Sequence, residues 1–199
     1  MAINLQKGQK ISLTKEDAKL SRIMVGLGWD PVEQSSGKGF FGSLFGGGSP
    51  QVDCDASVIM LNENNKAEEL VYFGNLKDRH SSVRHMGDNL TGDGDGDDEQ
   101  ILVELSKIPS KITRLIFVVN IYNCAKRNQH FGMIRNAFIR ILDLQSNKEM
   151  LRFNLTDDYS NKTGIYAGEI YRHENEWKFA AIGEGDTVTG LQQMLNKYR

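Results

Sequence analysis

The chain has little of several things that commonly declare a function. Its 199 residues hold only two cysteines, Cys54 and Cys124, too few for a disulfide framework. Both read as reduced, buried packing residues of a cytosolic protein. No run of about 18 apolar residues occurs, so no membrane-spanning helix is expected. The opening residues, M-A-I-N-L-Q-K-G-Q-K, lack the apolar core of a secretory leader, which again predicts a cytoplasmic location. Positive charge is not in excess, with 24 Lys and Arg against 26 Asp and Glu. Nucleic acid, which requires a basic face, is not an expected partner. Histidine is scarce, at 4 residues. His80, His130 and His173 show no paired spacing, and only His85 lies near an acidic cluster. A Ser-His-Asp order, a nucleophile elbow and a phosphate-cradling glycine loop are all missing.

What the chain does have is negative charge gathered in one place. Asp88 to Glu99 reads D-N-L-T-G-D-G-D-G-D-D-E. Asp88, Asp93, Asp95, Asp97, Asp98 and Glu99 are separated by Gly92, Gly94 and Gly96, which let the backbone bend so that carbonyls also turn inward. Carboxylates at this density repel unless a cation sits among them. Ca²⁺, bound by six to eight oxygens in flexible geometry, is the natural guest. The alternative is a solvated acidic loop. An EF-hand is disfavoured. Asp93, Asp95 and Asp97 fit its first ligand positions and Glu104 its last, but Asp98 stands where the sharp turn needs glycine. Ile101, Val103 and Leu105 then alternate as a strand does, not as a helix. A second carboxylate pair, Asp53 and Asp55, is spaced by two and projects from one face of an extended chain, with Cys54 on the other.

Period-two alternation recurs along the chain, for example at Ile23, Val25, Leu27 and Trp29. About ten short strands, separated by turn residues, predict a mainly all-β fold, a two-layer β-sandwich. Leu115–Tyr122 is the most continuous apolar run and is expected to be central. Leu191, Met194, Leu195 and Tyr198 predict a short C-terminal helix that lids one end, with Thr189 and Gln192 matching a capping box. Residues 1–199 read as a single domain. A Gly/Phe-rich loop inserted at 34–50 carries Phe40, Phe41 and Phe45. It reads as a surface insertion, or else as an apolar patch for self-association, a partner or a membrane surface.

Five ordered motifs resemble the bacterial TerD family of tellurium-resistance and general-stress proteins. They are G-L-G-W-D at Gly26–Asp30, D-C-D-A-S at Asp53–Ser57, G-D-N-L-T-G-D-G-D-G-D-D-E at Gly87–Glu99, F-G-M-I-R-N-A-F-I-R-I at Phe131–Ile141, and E-I-Y-R-H with E-W-K-F between Glu169 and Phe179. The resemblance runs from Ile3 to about Leu195. It implies a cytosolic, calcium-binding β-sandwich with a stress role and no established enzymatic activity. It also implies protein partners among related stress proteins, including a membrane-protein complex. The metal-site motifs carry over to Asp30, Asp53, Asp55, Asp88, Asn89, Asp95, Asp97, Asp98 and Glu99, with Asp93 at a variable position. The chain departs from the family at Tyr122–Arg127, where it has lost two acidic side chains and a histidine.

Three functions remain open on the residues. The first is a calcium-binding module whose acidic loops take one or two Ca²⁺ and order a surface for a partner. The second is a metal-dependent phosphoester hydrolase, which the lack of paired histidines disfavours. The third is a calcium-dependent lectin-like sandwich, which the expected location disfavours. Tellurite, an oxyanion, is not expected to bind directly among these carboxylates. Cys54, flanked by Asp53 and Asp55, is expected to be a poor thiolate.

Overall fold

Alternating apolar residues build twelve strands in the computed structural model, which describes residues 2–15, 19–32, 52–87 and 96–199. The strands are β1 (Ile3–Leu5), β2 (Lys10–Ser12), β3 (Arg22–Pro31), β4 (Cys54–Asn62), β5 (Ala67–Val71) and β6 (Val83–His85). After these come β7 (Glu99–Glu104), β8 (Ile112–Ile121), β9 (Ile134–Asp143), β10 (Lys148–Asn154), β11 (Gly164–His173) and β12 (Glu176–Asp186). Two sheets of six result, ordered β1-β10-β9-β3-β7-β6 and β2-β12-β11-β8-β4-β5. Each strand of the first pairs antiparallel with its neighbours, except that β1 runs parallel to β10. Twelve strands stand against the about ten expected, and the two short N-terminal ones pair with opposite sheets, β1 with β10 and β2 with β12.

The core lies between the sheets. Ile23, Val25, Leu27 and Trp29 of β3 face Ala56, Val58 and Met60 of β4 and Leu115, Phe117, Val119 and Ile121 of β8 across one continuous buried cluster. As expected, β8 is interior to its sheet, between β11 and β4. Burying this much apolar surface, at roughly 25 cal/mol per Å², is what holds the two layers face to face.

The chain beyond β12 departs from the sequence expectation. Helix α2 (Leu191–Asn196, following the short α1 at Cys124–Arg127) does not lid one end. It lies on the outer face of the second sheet, where Met194 and Val188 cover Ile59, Leu61, Ile116, Val118 and Tyr166. Those strand residues are apolar on both faces because the helix buries the second one. The expected capping box is not formed. Gly190 is the N-cap, and Gln193, not Gln192, reaches back to accept from the Thr189 backbone N–H at 2.7 Å. The polar stretch before β9 also holds structure not expected: the single turn of α1, flanked by Asn123 and Asn128, both left-handed. Among the described residues no helix is long and apolar enough to cross a membrane. The Gly/Phe-rich insertion, with Phe40, Phe41 and Phe45, lies outside the described residues.

Candidate metal centre

One end of the sandwich gathers the acidic motifs. Strand β3 carries Asp30 there, one residue before its end at Pro31. Strand β7 begins there, because Leu27 pairs with Glu99. The adjoining strand of the other sheet, β4, also begins there, with Asp55 opposite Asn120 of β8. Six of the carboxylates singled out in the sequence are thus at or beside this end: Asp30, Asp53, Asp55, Asp97, Asp98 and Glu99. Asp88, Asn89 and Asp95, with Asp93, lie outside the described residues.

Five of these carboxylates accept hydrogen bonds from the surrounding chain. Alternation along β7 turns Glu99, Ile101 and Val103 inward. Glu99 therefore crosses the space between the layers, and its Oε2 accepts the Ala56 N–H of β4 at 2.8 Å. His85 Nε2 sits 3.1 Å from the same oxygen and 3.2 Å from the Ala56 carbonyl oxygen. Its Nδ1 accepts from the Gly87 N–H, so Nε2 carries the proton and donates. The reason lies in the sheet. Strand β5 reaches along β4 only as far as the Val58–Val71 pair. Beyond it, the N–H and C=O of Ala56 have no strand to meet, and a buried peptide group must be satisfied. Glu99 and His85, both 1% exposed, supply that rung from the opposite sheet.

Asp97, two residues earlier, goes the other way. Its carboxylate lies on the outer face of the first sheet, over Gly26, and takes a two-pronged pair from Arg140 of β9 at 2.7 and 2.9 Å. Arg140 also donates to Glu149, and these bonds, Asp97 first, raise the guanidinium's pKa further. The two glycines of G-L-G-W-D make the room. A Cβ on Gly26 would stand 2.2 Å from Asp97 Oδ1, and one on Gly28 would stand 2.5 Å from the Gly96 carbonyl oxygen. Between these two acids, Asp98 turns back: its N–H donates to Leu27 and its Oδ2 accepts from the Trp29 N–H at 2.7 Å. Asp30 Oδ2 accepts from the Asn136 amide at 2.7 Å. Asp53 Oδ2 accepts from Arg127 at 3.2 Å, while its Oδ1 is buried without a hydrogen-bond partner among the described residues.

Cys54 shows how close these acids come. Burial first, then the charges of Asp55, Asp53, Glu99 and Asp98, push its thiol well above the ordinary range. The charges of four carboxylates, from the ends of both sheets, thus reach this thiol. The poor thiolate expected from the flanking aspartates has burial as its larger cause.

As a cation site, the donor set is all oxygen, which suits Ca²⁺ and not the thiolate- and imidazole-seeking metals. The buried, unpartnered Asp53 Oδ1 is an orphan that an ion would satisfy. The described residues alone do not close a cage: among them no group of three His, Cys, Asp or Glu side chains is placed to hold an ion. Asp97 and Glu99, moreover, face opposite sides of the first sheet, so they cannot share one ion as placed. Residues that sequence reasoning missed are Arg140, His85 in its structural role and the pair Gly26 and Gly28. Arg140 lies within the Phe131–Ile141 motif, which was the available signal.

Residues 1–198 match the family model described as the TerD domain. The chain is 58% identical over 201 residues to a stress response protein of Bacillus subtilis (strain 168), covering 100% of both. It is 39% identical to the tellurium resistance protein TerD of Serratia marcescens, covering 100% of this chain and 97% of that one. Among solved structures, a homologue of telluride resistance protein (TerD) from Streptomyces coelicolor A3(2) superposes with a TM-score of 0.65 at 20% identity, covering 85% of this chain and 92% of that one. A protein of unknown function superposes with a TM-score of 0.68 at 19% identity, covering 88% and 95%. On the family match and these identities, the chain belongs to the TerD family.

Proposed function

We propose that the protein is a calcium-binding module of the stress and tellurium-resistance type, without catalytic function, whose acidic end orders a surface for a protein partner. The observation that carries this reading is that Asp53, Asp55, Asp98 and Glu99, at the ends of both sheets, all lie near enough to Cys54 for their charges to raise its thiol. The orphaned Asp53 Oδ1 adds to it. The acidic segment that precedes Gly96 in sequence supplies the further oxygens, with Asp88, Asn89 and Asp95 as ligands. Asp30 and Asp97 complete the proposed set, Asp97 by exchanging Arg140 for the ion. Calcium, when bound, supplies cross-linking charge. The chain's own residues provide the oxygens, fix the sheet ends that carry them and exclude competing thiolate chemistry by holding Cys54 protonated.

The physical logic is linkage. An ion that binds the folded end and not the unfolded chain converts binding free energy into stability of that end. Related stress proteins and a membrane-protein complex are the proposed class of partner, in the cytoplasm. Calorimetric titration of metal-stripped protein should show saturable Ca²⁺ binding. The pair Asp95→Asn with Asp97→Asn should abolish it and the accompanying stabilisation. An unchanged response in that variant would sink the assignment.

A further inference from the structure

A second site lies on the outer face of the second sheet, beside the acidic end and away from the inter-sheet core. It is a cavity of about 200 Å³ between the start of β4, the end of β8, the residues after β5 and the N-terminal end of α2. Strand alternation puts Cys54 and Ala56 inward, so Asp55 faces outward, opposite Asn120 of β8. Asp55 and Asn120 are each 4% exposed and form the floor. The Asn120 carbonyl oxygen Oδ1 is buried and has no hydrogen-bond partner among the described residues. A buried acceptor left unmet costs about 1–3 kcal/mol, so its retention calls for a donor from elsewhere.

The walls say what kind of donor. Tyr72, Phe73 and Tyr122 line the cavity as one edge-to-face series, with ring centroids 5.3 and 6.2 Å apart. Phe73 and Tyr122 are 42% and 43% exposed, high for aromatic rings that have each other to pack on. A guanidinium already sits near this series, with Arg127 5.9 Å from the Tyr122 centroid and held by Asp53. Aromatic faces, a carboxylate and an unmet carbonyl oxygen in one small recess share a single complement. It is a positive head with N–H donors and a short apolar stem, for which ring faces and acceptors are attractive together. Anions are repelled by Asp55, and a neutral alcohol gains nothing from the rings' electrostatics.

The geometry points to this cavity as a binding site for a small primary alkylammonium ion. Its N–H groups meet Asn120 Oδ1 and the Asp55 carboxylate, and its stem packs on Tyr72, Phe73 and Tyr122. The site does not rest on the calcium reading, although Asp55 figures in both, and its test is run without calcium.

Full-length protein in chelator-containing buffer is titrated with butylammonium chloride and, separately, with 1-butanol, followed by calorimetry and by chemical shifts. Butylammonium should saturate, and butanol should bind at least about tenfold more weakly. Tyr122→Leu, at an exposed rim position, should weaken the ammonium about tenfold with an unchanged melting temperature. Asn120→Leu removes the unmet acceptor. It should lose binding to the same extent while leaving the fold as stable or more so, a combination that damage to the sheet would not give. No saturable binding, equal binding of the alcohol, or full affinity in both variants would overturn the proposal.

Discussion

Asp97 and Glu99 are two residues apart in one acidic run, and the sheet assigns them opposite tasks. The Asp97 carboxylate is fully buried against Arg140, itself 24% exposed. Such a pair adds little net stability relative to apolar residues, but removing one partner strands a buried charge. Arg140→Ala is therefore expected to destabilise the calcium-free protein by about 3–5 kcal/mol, read from urea midpoints. Adding Asp97→Ala to it should recover much of the loss, because the stranded charge is then gone. Recovery of nothing would mean that Arg140 acts through Glu149 alone. Glu99 is the opposite case. Its carboxylate completes a backbone ladder, a task that neither composition nor motif announces. Sequence shows that these residues are acidic and crowded. It does not show that Glu99 is the first residue of strand β7 while Asp97 lies before it, where strand alternation no longer holds. The Gly26 and Gly28 requirement was hidden too: it arises from Asp97 and the Gly96 carbonyl, some seventy residues distant in the chain.

At the scale of elements, the strands were legible because each is bounded by turn residues and buries alternate positions. The alternation of Ile23, Val25, Leu27 and Trp29 predicts a strand, and β3 buries those same four. The assignment of the edge strands β1 and β2 to different sheets is not legible, since pairing is a long-range property. The apolar period predicts helix α2 but not its seat, because an apolar stripe says that a face is buried and not against what. Its true seat yields a pH expectation. Tyr198 lies against Tyr166 at the helix end, and burial first, then Tyr166, pushes its phenol from 10 up to about 12. The unfolded chain then ionises at a lower pH than the folded one. This contribution is whole below pH 10 and is lost as pH climbs toward 12. Alkaline titration should show tyrosinate forming late, together with loss of the helix packing. Tyr198→Phe should move the onset of unfolding to higher pH. An unmoved onset would place the sensitive phenol elsewhere, Tyr159 being also raised to about 12.

For the whole molecule, the two sheets meet at the acidic end through the Glu99 and His85 bonds to the Ala56 peptide group, so an ion there acts on the assembly of layers. Calcium at about a hundred times its dissociation constant should add about 2.7 kcal/mol. For a chain of this size that is a rise of roughly 5–10 °C in melting temperature, reversed by chelator. A flat melting temperature would leave the fold intact and remove the linkage. The link between sheets has a further consequence. The Ala56 peptide group is bonded by two side chains where a neighbouring strand would ordinarily lie, and one of them, Glu99, is the last residue of the acidic run. Its amide hydrogen is consequently a built-in gauge. Exchange of that single proton with solvent deuterium reports whether the acidic run is pulling on the opposite sheet or resting against it. It can be followed in the intact protein without a label, a substitution or knowledge of the partner.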